Sequence, residues 1–242
     1  MDLSFLSEVQ QKAVRATEGP VLVLAGAGSG KTSVLTNRVA YLVNEKGVDP
    51  FSILAITFTN KAANEMKERI SALVDFDVSR MAISTFHSMC AKFLRFDADK
   101  IGYERNFSIY DTDDCVTVVK RVLEAKGMDV KHARRVLSHI SNIKNNEAKM
   151  TPEDYAGQAM QADSSMQALP SIYREYCDRL HRENAMDFDD LLLNMLRVLR
   201  ESETAREYYQ NRFRYIMVDE YQDTNSVQYE LVHILADKYK NL

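Results

Sequence analysis

Ala25, Gly26, Ala27, Gly28, Ser29, Gly30, Lys31 and Thr32 succeed one another in the order of a nucleotide phosphate loop. Glycines let a backbone turn its N–H groups inward around an anion, and the N-terminus of a following helix adds partial positive charge. In such a loop Lys31 reaches the β- and γ-phosphates, and the Thr32 hydroxyl ligates Mg²⁺. An apolar run, Val21, Leu22, Val23 and Leu24, precedes the loop, and Val34, Leu35, Arg38, Val39 and Leu42 follow at helical spacing. That strand–loop–helix context disfavours the competing reading, an ordinary glycine-rich turn. The general pattern G-x-x-x-x-G-K-[ST] opens on glycine, whereas this chain has Ala25.

A second set of chemical groups lies near the other end. Ile216, Met217 and Val218 lead into Asp219 and Glu220, an apolar strand ending in two carboxylates. On a strand beside that of a phosphate loop, such an aspartate sits near Mg²⁺, and a neighbouring glutamate orients and deprotonates the attacking water. Asp219 fits the metal role and Glu220 the base. Alone, the pair reads more readily as a capped surface turn. With residues 25–32 in the same chain, it reads as the other half of an ATP·Mg²⁺ site.

The elements that must position these groups are short apolar runs at 21–24, 53–58, 81–83 and 215–218, the pattern of buried parallel strands. Helical patterns at about 33–45 and 62–73 alternate with the first three, which predicts βαβ units and a covered parallel sheet. From about 88 to 211 only helical periodicity is present. Val116, Val119, Val122 and Leu123 form one stripe, and Val136, Leu137, Ile140 and Ile143 another. Thr151 before Pro152 marks a helix start, and a second lies near Asp187. The expected fold is α/β: a parallel-sheet domain of residues 1–103 plus 187–242, with an all-helical subdomain, 104–186, inserted between its third and fourth strands. A helix expected over 226–239 stops where a βαβ unit would feed another strand, so the pattern reads as truncated.

The 242 residues are 45% hydrophobic and 27% charged, the balance of a globular chain. A formal net charge of −4 excludes a polycation, so any nucleic-acid site must be a local patch. Cys90, Cys115 and Cys177 lack C-x-x-C spacing, which argues against a disulfide framework or a zinc site and fits a reducing cytosol. The N-terminus lacks the basic and apolar regions of a signal peptide, and no apolar run approaches the ~18 residues of a membrane span. A soluble cytoplasmic protein without a membrane partner is expected.

Six segments recur in a known order. They are 6–14, with Gln10; the loop 25–32; 56–63, with Thr57, Phe58 and Asn60; 84–88, with Thr85 and His87; 187–191; and 219–225. Together they span nearly the whole chain and resemble the superfamily 1A DNA helicases of the UvrD/PcrA/Rep type. The resemblance implies a P-loop NTPase (RecA-like) sheet, with the helical insert as subdomain 1B. It implies that Gln10 contacts adenine, as a glutamine amide pairing with N6 and N7 would. It also implies that Thr57, Phe58 and Asn60 touch single-stranded DNA and that Thr85 and His87 hold its phosphates. A base stacked on Phe58 is worth about 1–3 kcal/mol.

Without the resemblance, Gln10 reads as a solvated helix residue, Phe58 as core packing and His87 as a loop residue. Within 117–150, Lys120, Arg121, Lys126, Lys131, Arg134, Arg135, Lys144 and Lys149 stand against Glu124, Asp129 and Glu147. They form either a face for duplex phosphates or a solvated surface. Two departures from the family stand out. Ser33 replaces the arginine that many members place after Gly-Lys-Thr, where it packs on adenine. The family's Gly-Asp-x-x-Gln motif, second motor domain and arginine fingers are not found before Leu242.

The resulting expectation is the first motor domain of a 3′→5′ DNA helicase that couples ATP hydrolysis to unwinding. Its partners would be single-stranded DNA, single-strand/duplex junctions and the second motor domain of a longer chain. Alone, these residues are expected to hydrolyse ATP poorly, because an arginine finger supplies ~10³–10⁵ in rate in related enzymes. Two alternatives stay open, the helicase portion of a recombination helicase-nuclease and a nucleotide-gated DNA-binding module that never unwinds.

Overall fold

The computed structural model describes residues 1–26, 28–146, 152–162 and 167–242, without the side chains of 158–162. Ala27, Glu147, Lys149 and Thr151 lie outside the described residues. The chain forms two compact units. One comprises Met1–Met89, Glu203–Thr224 and Val232–Leu242, and the other Cys90–Ser202 and Asn225–Leu231.

In the first unit, helices α1 (Glu8–Arg15) and α2 (Lys31–Asn44) precede strand β1 (Ile53–Thr57), helix α3 (Asn60–Ser71) and strand β2 (Ala82–Thr85). Every residue of β1 is buried, as in a strand covered on both faces. β1 pairs in parallel with β2 on one side and with β5 (Tyr215–Val218) on the other. The Thr59 hydroxyl caps α3 by accepting from the Ala62 N–H at 3.1 Å. Val39, Leu42, Ile53, Ala55, Met66, Ile70, Ile83, Tyr215 and Met217 form the core of this unit. Leu3, Leu6, Val14 and Val34 pack α1 on α2. The buried Arg38 guanidinium secures that contact, donating to the carbonyls of Ala13 at 2.8 Å and of Ala16, at the exposed end of α1. Burial lowers its pKa, while Glu18 opposes the shift.

The expected strand at 21–24 does not form. Leu22 and Leu24 are 68% and 85% exposed. The Val21 N–H donates to the Leu242 carbonyl at 2.7 Å, and the Ile216 N–H to the Asn241 carbonyl at 2.9 Å. Residues 241–242 thus lie between the start of β5 and Val21, so β5 is not the ladder neighbour of 21–24. An apolar run becomes a buried strand only when a neighbour satisfies its backbone, and among the described residues none does so beyond Val21.

The second unit contains β3 (Ser108–Ile109), α5 (Thr112–Ala125), α6 (Ala133–Asn146), α7 (Pro152–Ala162), α8 (Leu169–Arg182), β4 (Ala185–Met186) and α9 (Phe188–Glu201). Helix α4 (Phe86–Asp97) leads into it, α10 (Glu203–Arg212) follows it, and α11 (Ser226–Ala236) contributes its first turns. The two stripes expected on α5 and α6 meet Ile172, Tyr176 and Leu180 of α8 in one core. β3 and β4 pair in parallel over two residues, too short for periodicity to reveal. This unit also takes in 90–103 and α9, beyond the 104–186 drawn from sequence. Apolar periodicity does not distinguish a helix packed on helices from one packed on a sheet.

The expected basic face is also reduced. Lys144 is buried, its ammonium 2.7 Å from Asp187 and 2.6 Å from Asp190, and Tyr176 donates to Asp187 at 2.8 Å. Arg134 pairs with Asp113 at 2.9 Å, and Lys126 donates to the Ser171 hydroxyl at 2.6 Å. Among the described residues no helix is long and apolar enough to cross a membrane.

Candidate functional site

Because β2, β1 and β5 run parallel, their carboxyl ends share one edge of the sheet. The register sets Thr57 beside Thr85 and Ile56 beside Val218. Phe58 and Asn60, Thr85 and His87, and Asp219 and Glu220 therefore lie at or just beyond three neighbouring strand ends. This is the edge where open α/β sheets bind ligands.

The loop before α2 depends on two left-handed glycines, Gly28 at φ +75° and Gly30 at φ +84°. A side chain there costs about 1–2 kcal/mol. Gly30 forms the N-terminal boundary of α2, which no side chain caps. The Ser29 hydroxyl donates to the Gly26 carbonyl at 2.6 Å, closing the turn. Gln10 holds the loop from α1. Its Nε2 donates to the Ser29 carbonyl at 2.9 Å, and its Oε1 accepts from the Ser7 N–H at 2.9 Å. Its amide therefore bridges a helix cap and the loop. Ala25 accepts from Lys31 Nζ at 3.4 Å through its carbonyl, a contact that needs no particular side chain at position 25. The Ser33 hydroxyl accepts from Asn37 Nδ2 of its own helix at 3.4 Å.

Lys31 Nζ also lies 3.7 Å from Glu220 Oε1, joining the loop to the end of β5. Both side chains are part-exposed, so solvent screens the pair and the contact is chiefly one of position. The Asp219 N–H donates to the Ile56 carbonyl at 2.9 Å, extending the ladder. Its carboxylate accepts from the Glu220 N–H at 3.1 Å. Burial and the adjacent Glu220 push the Asp219 carboxyl up, while Lys31 opposes them. Glu220 has a left-handed backbone, φ +51°, uncommon for a residue with a Cβ and typical of functional turns. Its Oε2 accepts from Gln222 Nε2 at 2.6 Å, a contact that the sequence pattern did not reveal.

The arrangement supplies a glycine-rich turn before a helix N-terminus, an ammonium, a hydroxyl at Thr32 and two carboxylates. Thr32 and Asp219 are hard oxygen donors of the kind Mg²⁺ takes, and a cation would offset the burial and the neighbouring Glu220 charge that together raise Asp219.

Beyond β1, Phe58 is half-buried, with its ring centroid 5.7 Å from that of the buried Phe86. Part of the ring is packing and part is surface. Asn60 is exposed and opens α3. Thr57 is buried, and its hydroxyl donates to the Thr59 carbonyl at 3.1 Å. Thr85 is buried as well, donating to the Ser88 hydroxyl at 2.9 Å, while His87 is half-buried. In the second unit the 187–191 segment opens α9. The Asp187 carboxylate accepts from the Asp190 N–H at 2.8 Å, and Asp190 accepts in return from the Asp187 N–H at 3.2 Å.

The profile of the UvrD/REP helicase N-terminal domain family matches residues 6–242. The ATP-dependent DNA helicase PcrA of Staphylococcus epidermidis is 52% identical over 239 residues, which are 98% of this chain and 32% of that protein. PcrA of Staphylococcus aureus is 51% identical over 242 residues, 99% of this chain and 33% of the relative. The chain thus spans about a third of the length of these curated relatives.

Proposed function

The chain belongs to the UvrD/REP helicase N-terminal domain family, and from that premise we propose that it is the ATP-binding first motor domain of a 3′→5′ DNA helicase. One observation carries the reading: the 3.7 Å approach of Lys31 to Glu220, which joins the glycine-rich loop to the carboxylates at the end of β5. In this reading residues 1–103 and 187–242 belong to the RecA-like motor and 104–186 to the helical subdomain, with 90–103 and α9 packed among the helices of the second unit.

The amides of residues 25–32 and the Lys31 ammonium hold the ATP phosphates, and Gln10 contacts adenine. Thr32 and Asp219 hold Mg²⁺, which supplies charge neutralisation at the phosphates when bound. Glu220 orients a water and takes its proton as the water oxygen bonds to the γ-phosphorus. The bond to the bridging β,γ-oxygen breaks, and ADP leaves with the electron pair.

Phe58 and Asn60 present surface to single-stranded DNA, with Phe58 stacking on a base. His87 binds phosphate, and Thr57 and Thr85 act through the turns their hydroxyls hold. Motor closure on ATP then moves the strand past Phe58 toward a junction. A second motor domain with its arginines completes the site, so residues 1–242 alone bind ATP weakly and turn it over slowly. A cytoplasmic location follows from work on DNA in a cell of the relatives' kind.

Two substitutions in the full-length chain that carries this domain test the site. Lys31→Ala is expected to abolish nucleotide binding or turnover. Glu220→Gln is expected to retain ATP binding and lose hydrolysis, and normal turnover by that variant would overturn the assignment of the base.

A further inference from the structure

Glu220 does not control the orientation of its own carboxylate. Its left-handed backbone, φ +51° and ψ 46°, sets the direction in which the side chain leaves the end of β5, but a glutamate still has three rotatable bonds. Two neighbours hold its end. Lys31 Nζ approaches Oε1 at 3.7 Å, and Gln222 Nε2 donates to Oε2 at 2.6 Å from the following turn, Tyr221–Asp223. The Gln222 bond is the shorter and better formed of the two. It spans only two residues along the chain, and the same nitrogen lies at 3.5 Å from Asp223 Oδ2.

We propose that Gln222 is a positioning residue for ATP hydrolysis, fixing the rotation of the Glu220 carboxylate so that Oε1 is the oxygen that accepts the proton of the attacking water. This rests on Glu220 acting as the base. When Lys31 turns to the phosphates of a bound nucleotide, Oε1 loses its ammonium neighbour and becomes available. Oε2 stays occupied, because its donor belongs to the same turn and moves with Glu220. A carboxylate with one oxygen tied and the other open presents a single oxygen to the water, in a plane that the tied oxygen fixes. Misplacement of a reacting group by about 1 Å costs on the order of 100-fold in rate. The Gln222 side chain is exposed, so its loss leaves the core packing intact.

The experiment compares Gln222→Ala and Gln222→Glu in the full-length chain with saturating single-stranded DNA, measuring kcat, ATP affinity and DNA affinity. Both variants are expected to lower kcat about 10- to 100-fold, with ATP and DNA affinities within about twofold of the parent, the pattern of a lost transition-state contact. Gln222→Glu matches the size of glutamine but donates nothing, so it should fall at least as far as the alanine variant. In a Glu220→Gln background, Gln222→Ala should cause no further loss in single-turnover rate, because residues acting as one unit are non-additive.

A parent-like kcat in Gln222→Ala, with Glu220→Gln inactive, would overturn the positioning role and leave the base assignment standing. Full turnover by Gln222→Glu beside a slow Gln222→Ala would show that only side-chain volume matters, and would also overturn it. Normal turnover by Glu220→Gln would remove the base itself, a failure read in a different variant.

Discussion

Lys144 Nζ lies 2.7 Å from Asp187 Oδ2, with the lysine side chain fully buried and the aspartate nearly so. Asp190 and Tyr176 complete the cluster, and Asp187 and Asp190 also cap α9. Removing one partner leaves a buried charge without compensation, at a cost of about 3–5 kcal/mol. Lys144→Met is expected to destabilise the chain by that amount in denaturant unfolding. Adding Asp187→Asn and Asp190→Asn should recover much of the loss, because asparagine still caps a helix. A Lys144→Met variant as stable as the parent would contradict the assignment.

The same cluster gives a pH dependence with a defined sign. Burial pushes the Asp190 carboxyl up to about 7, with Lys144 opposing the rise and Asp187 adding to it. Asp187 is desolvated too, but the Lys144 ammonium and its hydrogen bonds hold it below the ordinary carboxylate value. Between the unfolded value, about 3.9, and about 7, the native state keeps the Asp190 proton while the unfolded chain has lost it. Asp190 therefore withdraws stability as pH rises through that window. Lys144 stays protonated across that window, and Asp187, held ionised in the native state, adds stability with rising pH only at the bottom of the window, where the unfolded carboxylate titrates. Relative to the parent, Asp190→Asn should gain stability from pH 5 to pH 7.5 in urea titrations, and a pH-independent difference would contradict this.

Gly30 combines φ +84° with a Gln10 Nε2 that stands 3.0 Å from where a Cβ would sit. Gly30→Ala is expected to cost only about 1–2 kcal/mol of stability. It should nonetheless weaken ATP binding at least about tenfold, since the added carbon displaces the amide that holds the Ser29 carbonyl and the loop loses its preorganised shape. Fluorescent-nucleotide titration beside thermal melting measures both quantities.

Phe58 and Phe86 touch but differ in burial, and their alanine variants should differ accordingly. Phe86→Ala removes a buried ring and should cost about 3–5 kcal/mol of stability. Phe58→Ala should melt near the parent and lose about 1–3 kcal/mol of single-strand affinity. Equal destabilisation of the two, with unchanged DNA affinity, would return Phe58 to core packing.

Much of the sheet was legible because β1 and β5 are continuous apolar runs, and such runs bury wherever a parallel neighbour exists. The run at 21–24 looks the same by composition yet stays exposed, because burial there depends on a partner strand that residue types do not encode. The helix start at Asp187 is local chemistry, and hence readable. Lys144 was unreadable for the opposite reason. Its spacing places it among surface lysines, while its carboxylates lie 43 and 46 residues away in sequence. At the candidate site, the loop and the Asp219–Glu220 pair are visible as types and order. Gln222, by contrast, becomes visible only once the turn fixes which atoms meet.

ATP hydrolysis by the full-length chain that carries this domain, measured with and without single-stranded DNA, tests the central claim most directly. The expected result is slow turnover alone and marked stimulation by single-stranded DNA, lost in both Lys31→Ala and Glu220→Gln. Turnover that is indifferent to DNA, or that survives the loss of Lys31, would contradict it.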